Sequence, residues 1–271
     1  MSLVGLLAFT VVANPRPMPF MMSVQAWTFN RFSTFEAIEK AKQAGSSYIE
    51  MFPGQLMKQG GADRVGPDMS EAARQELAAH LAKTGVKAVA FGVTDVPQDQ
   101  AAARKLFAWA KSLGIGIINT ESTGSIDTIE VMVKEFDMKV GYHNHPKRDN
   151  DPNYKVWDPA YIYELVKNRD KRIGACADTG HWVRSKIKPI DALNTLKGRV
   201  VSSHLKDLHE FGPGGHDMPY GLGVSDVPAI LAHYDKIKMS GSVSVEYEYN
   251  WDANVTDVAQ CMGYVHGLYG K

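Results

Sequence analysis

Cysteine is nearly absent: Cys176 and Cys261 are the two thiols in 271 residues. A pair so widely separated gives neither a disulfide framework nor the close spacing of a thiolate metal knuckle, so stability must come from an apolar core. Net charge is absent too. The 30 Lys and Arg residues are matched by 30 Asp and Glu, leaving no positive excess to attract a phosphate backbone, and nucleic acid is not an expected partner. A membrane-spanning run is missing as well, since the apolar stretch from Leu3 to Ala13 is too short to cross a bilayer. No G-x-G-x-x-G or Walker pattern occurs, which removes the signature of a doubly wound dinucleotide-binding sheet.

What is present is the balance of an ordinary globular protein, with 44% apolar and 22% charged residues. Residues 1–19 stand apart. Their apolar run, followed by NPRPMP, looks like the end of a secretory signal, although no Lys or Arg precedes it. We read 1–19 as an N-terminal extension, either a signal remnant or a leftover of cloning, and 20–271 as one catalytic domain. The expected compartment is the cytoplasm, or the periplasm or exterior if the run is a signal remnant.

From Phe20 onward, short β-type runs alternate with helical patterns. The runs are 20–27, 48–52, 87–93, 114–121, 139–145, 172–180, 199–207 and 242–248. Ser33 and Glu36 make a capping box, Gly45, Gly85 and Gly114 mark helix stops, and Asp158-Pro159 reads as an N-cap with proline at the first helical position. Eight such alternations without a linker predict a single-domain α/β fold, the (β/α)8 TIM barrel, with its site at the C-terminal strand ends.

Those ends carry Glu50, Glu121, His143-Asn144-His145, Asp178-Thr-Gly-His181, His204-Leu-Lys206-Asp207 and Glu246-Tyr-Glu248. Taken singly, each has a plain structural reading: a hydrogen-bonded core pair, a solvated rim, a surface ion cluster. Together they would bring several carboxylates and imidazoles to one axis, a costly arrangement without a compensating cation. One divalent metal ion supplies it, and oxygen and imidazole ligands suit Mn, Mg, Co or Zn. Cys176 and Cys261 read as core. His209 and His216 could reach the site from the segment after strand seven, and Trp27, Phe52, Trp182 and Trp251 could wall a pocket at the strand ends.

The ordered set HNH, DTGH, HLKD, a G-x-G turn and an ExE strand resembles the xylose-isomerase-like barrel superfamily of sugar and sugar-phosphate isomerases and epimerases. The resemblance covers the chain from about Phe20 to the last helix. It implies a divalent metal held by Asp178, His204 and Glu246 with a further Glu. Many members carry that Glu on strand five, where this chain has His143; Glu121 on strand four is preferred here as the fourth ligand, with His143 as its competitor. The superfamily's apurinic endonucleases share Asp178 and His181, but the histidines they carry on strands two and three have no counterpart in this chain.

The expected activity is metal-dependent isomerisation or epimerisation of a sugar or keto-sugar, by proton abstraction next to a carbonyl. Glu246, His143 and His145 are the candidate acid/base groups and Lys206 the group facing the developing oxyanion, while His181, Glu50, Glu248 and Trp182 are expected to touch substrate. The alternatives are a keto-sugar lyase or dehydratase on the same barrel, and a sugar-binding barrel without catalysis. No phosphate site stands out. The outer helices could support a homodimer.

Overall fold

A computed structural model describes residues 17–270, and in it each of the eight β-type runs contributes one strand to a closed barrel. In chain order the strands and helices are β1 (Met21–Gln25), α1 (Thr34–Gln43), β2 (Tyr48–Met51), α2 (Glu71–Thr84), β3 (Lys87–Phe91), α3 (Gln100–Ser112), β4 (Ile117–Thr120), α4 (Ile126–Phe136), β5 (Lys139–His143), α5 (Pro159–Val166), β6 (Ile173–Asp178), α6 (Thr179–Arg184), α7 (Pro189–Thr195), β7 (Val200–Leu205), β8 (Asp207–Leu208), β9 (Asp217–Met218), α8 (Val227–Lys236), β10 (Ser242–Val245) and α9 (Val255–Tyr269). The ring runs β1-β10-β7-β6-β5-β4-β3-β2 and closes. This is the TIM barrel that the alternation predicts. Apart from residues 17–19, the N-terminal extension lies outside the described residues.

The local signals act as expected. Ser33 and Glu36 cap α1 reciprocally, Gly85 ends α2 in the left-handed conformation, and the Asp158 side chain accepts from Ala160 N at the start of α5. Two features were not legible. The connection after β6 holds two short helices: α6 ends at Arg184, Lys186 turns the chain with a left-handed φ of 61°, and Pro189 opens α7. The segment after β7 folds into a small antiparallel hairpin, β8 with β9.

Helices cover the outside and side chains fill the lumen, so β6 and β7 are buried along their whole length. The lumen is polar as well as crowded. A Cβ on Gly141 would lie 2.6 Å from both Asn119 Oδ1 and Ser202 Oγ. No helix among the described residues is long and apolar enough to cross a membrane.

Candidate active site

Four side chains from strands β5, β6, β7 and the end of β10 converge above the lumen. His143, Asp178, His204 and Glu246 each offer a ligand atom, and those atoms all lie within 4.8 Å of one another. All four residues are buried. Asp178 serves two purposes: it caps α6, accepting from His181 N at 2.7 Å through Oδ1, and it turns Oδ2 toward the cluster. His143 Nε2 lies 3.5 Å from that Oδ2, and His204 Nδ1 lies 3.1 Å from Glu246 Oε2.

Lys206 stands among these carboxylates. Its ammonium is 2.6 Å from Asp178 Oδ2, touches Glu246 Oε2, and is 3.4 Å from Glu248 Oε2. Burial would lower the Lys206 pKa, but Asp178, Glu246 and Glu248 hold it well above the ordinary lysine value. The partners respond in kind: burial would raise Asp178 and Glu246, while the Lys206 ammonium holds both below their usual range. Gly180 makes this possible, since a Cβ there would lie 2.7 Å from Lys206 Cβ.

A second group lies at the ends of β4 and β5. Glu121 Oε1 accepts from Tyr154 Oη at 3.0 Å, meets His145 Nδ1 in a short hydrogen bond, and faces His143 Nδ1 at 3.4 Å. Burial would raise the Glu121 carboxyl, but the hydrogen bonds from His143 and His145 hold it well below the usual carboxylate range. Glu121 groups with His143 and His145, a second set that could hold a metal ion, and His143 belongs to both sets.

The mouth of the barrel holds a pocket of about 220 Å³ lined by Gln25, Trp27, Phe52, His143, His145, His181, Glu246 and Glu248, among others. His145, His181, Glu246 and Glu248 therefore face the space where the sequence placed them. Trp27 and Phe52 meet edge to face, 5.1 Å between centroids, and form an aromatic wall. Two expected substrate contacts lie elsewhere. Glu50 is fully buried beneath His204, and Trp182 is packed in the core because helix α6 turns it inward. His209 stacks on His216, which stacks in turn on Tyr249, and neither histidine is part of the pocket lining.

Arg184 ties the rim together. It donates to Glu248 Oε2 at 2.9 Å, to Asp217 Oδ2 at 3.0 Å and to His181 Nδ1 at 3.1 Å. Because guanidinium only donates, His181 Nδ1 must accept, so the His181 proton sits on Nε2. Burial lowers the His181 pKa well below the ordinary value and leaves it neutral. Asp217 is pushed up to about 7, burial outweighing the pull of Lys206 and Arg184.

Sequence reading missed Gln25, Tyr154 and Arg184. Gln25 closes β1 and donates to Gly92 O at 3.0 Å; its place at a strand end was the available signal. Tyr154 and Arg184 lie beyond the strand ends, and no local pattern marked them.

The quartet suits a divalent cation. His143 Nε2 and His204 Nδ1 are buried nitrogens without a hydrogen-bond partner, and together with the Asp178 and Glu246 carboxylates they form the imidazole and oxygen donor set that borderline metals take. The named carboxylates, Glu50, Glu121, Asp178, Glu246 and Glu248, also outnumber the permanent cations Lys206 and Arg184.

The model of the xylose isomerase-like TIM barrel family matches residues 38–263. No curated protein matches the chain. Among solved structures, an uncharacterized protein from Parabacteroides distasonis ATCC 8503 is 26% identical, with TM-score 0.73 and coverage of 92% of this chain and 99% of that one. A D-tagatose 3-epimerase-like protein is 15% identical, with TM-score 0.68 and coverage of 92% and 96%. The IOLI protein with a zinc atom is also 15% identical, with TM-score 0.66 and coverage of 92% and 98%.

Proposed function

The chain belongs to the xylose isomerase-like TIM barrel family, and from that premise we propose that it isomerises or epimerises a small unphosphorylated keto-sugar. The observation that carries this reading is the pairing of two kinds of acid/base group in one pocket. His145, backed by Glu121, lies just beyond the end of β5, and Glu246 lies just beyond the end of β10, three places along the ring. Epimerisation needs this: one group removes the proton next to the carbonyl from one face, and another returns a proton to the opposite face.

His143, Asp178, His204 and Glu246 would hold the divalent ion, in keeping with the zinc of the similar IOLI protein. When bound, the metal acts as a Lewis acid toward the carbonyl and its neighbouring hydroxyl. The other roles fall to the chain. Glu121 accepts from His145 Nδ1 and so keeps Nε2 free to exchange a proton with substrate. His181 presents its Nε2 proton to a substrate hydroxyl, Lys206 keeps Asp178 and Glu246 ionised, and the Trp27–Phe52 wall stacks against the apolar face of the sugar. The pocket of about 220 Å³ suits a small ligand, and its lining includes no lysine or arginine to hold a phosphate.

Elimination is the second reading. The same proton abstraction leads to loss of a β-substituent if the leaving oxygen is assisted: the Nε2–H of neutral His181 can hydrogen-bond that oxygen, and the base can pass to it the proton taken from carbon. Product analysis separates the two: a panel of keto-sugars should yield stereoisomers of equal mass, whereas elimination would release water or an aglycone.

A further inference from the structure

Glu50 was expected to touch substrate, yet it sits under the site, closed off from the pocket. Its carboxylate is met by three side chains. Asn119 Nδ2 donates to Oε1 at 2.7 Å, Ser244 Oγ donates to Oε2 at 2.7 Å, and His204 Nε2 lies 3.0 Å from Oε1. The orientation of Asn119 is fixed from behind, because its Oδ1 accepts from Ser202 Oγ at 2.6 Å and its amide nitrogen is therefore the end that faces Glu50.

The oxygen that faces His204, Oε1, is the one that accepts from the Asn119 amide, so it offers the imidazole an acceptor. His204 must then carry a proton on Nε2. The opposite nitrogen, Nδ1, faces Glu246 Oε2 at 3.1 Å and Asp178 Oδ2 at 3.9 Å, and it is buried without a hydrogen-bond partner. One ring nitrogen is committed to the lumen and the other points into the quartet.

We infer that Glu50 is a positioning residue: it fixes His204 as the Nε2–H tautomer and aims the Nδ1 lone pair, so that His204 takes a divalent cation through Nδ1. This rests on the metal reading above. A carboxylate behind a metal-binding imidazole sets its tautomer and raises its basicity, and losing it typically costs 10–100-fold in metal affinity. The lumen of this barrel provides that carboxylate from β2, three places along the ring from β7.

The test is Zn2+ binding measured calorimetrically on the full chain, with thermal unfolding recorded for every variant. Glu50→Gln keeps the shape, with its carbonyl oxygen held by the Asn119 amide, but removes the charge that raises the basicity of the imidazole. Affinity should fall about 10–100-fold. Ser244→Ala removes a donor from the far oxygen of Glu50 and leaves the bond to His204 in place, so its affinity should stay within about threefold of wild type and control for general loosening of the lumen. Nitrogen NMR of the histidine side chains should show the His204 proton on Nε2 and the Zn2+-induced shift on Nδ1. If wild type binds Zn2+ and Asp178→Ala abolishes it, but Glu50→Gln binds as tightly as wild type or His204 ligates through Nε2, the inference is overturned. If wild type binds no Zn2+ at the quartet, the metal reading itself has failed.

Discussion

Lys206 Nζ lies 2.6 Å from Asp178 Oδ2, so the chain places a cation of its own against one of the carboxylates best placed to hold a metal. The ammonium and a divalent ion would serve the same electrostatic need, and the balance between them governs both stability and metal affinity.

Replacing Lys206 with methionine leaves Asp178 and Glu246 buried and adjacent without their cation. Removing one partner of a buried ion pair costs about 3–5 kcal/mol. Urea denaturation should show a loss of that order in metal-free Lys206→Met, and added Mn2+ or Zn2+ should restore more stability to the variant than to wild type. Equal effects of metal on both proteins would show that Lys206 and the ion do not share a role.

Gly180 bears on the same lysine. Gly180→Ala would put a Cβ 2.7 Å from Lys206 Cβ, and overpacking of this kind costs about 1–3 kcal/mol. A thermal melt checks the loss of stability; an unchanged melting point would mean that helix α6 shifts freely, against the tight packing seen here.

Glu121 acts through His145 in this account. Glu121→Gln should lower kcat by about 10²–10⁴-fold, the range for a misdirected acid/base group, with KM little changed. The split between kcat and KM is the sharper readout, because Glu121 meets His145 and is not part of the pocket lining. An unchanged kcat would remove Glu121 from the machinery.

Asp217 sets a pH dependence of stability. An aspartate titrates near 3.9 in an unfolded chain, whereas the Asp217 carboxyl is pushed up to about 7 by burial in the fold. Between those values the folded state holds a proton that the unfolded state has released. The contribution of Asp217 is therefore fully present below about pH 4 and is lost as the pH rises through about 7. Asp217→Asn, which does not titrate, should gain on wild type as the pH goes from 4 to 8 in parallel denaturation series. Parallel curves for the two proteins would contradict this.

The barrel was legible because its evidence is local and repeated: each strand run, cap and glycine stop speaks for one element, and eight of them fit one architecture. Asp178, His204 and Glu246 were legible for a related reason, since strand-end position implies convergence in this fold. Depth and rotation were not. Period-two alternation says that His204 and Lys206 share a face, but not that Glu50 would lie beneath that face, nor that Glu121 would turn toward His145 and Tyr154. Trp182 follows a strand-end motif yet belongs to the core, because a six-residue helix begins at once and turns it inward. Arg184 escaped notice because its partners Asp217 and Glu248 are far apart in sequence and meet only through the hairpin and the end of β10.

The central claim is that a proton next to a sugar carbonyl is removed in this pocket, and exchange with deuterated water tests it most directly. Protein loaded with Mn2+ or Zn2+ should place deuterium at the carbon beside the carbonyl of at least one unphosphorylated keto-sugar, with the signal lost on chelation and confined in His145→Ala to the epimer whose proton faces Glu246. Metal-replete protein that exchanges no carbon-bound proton across a broad keto-sugar panel would contradict the account.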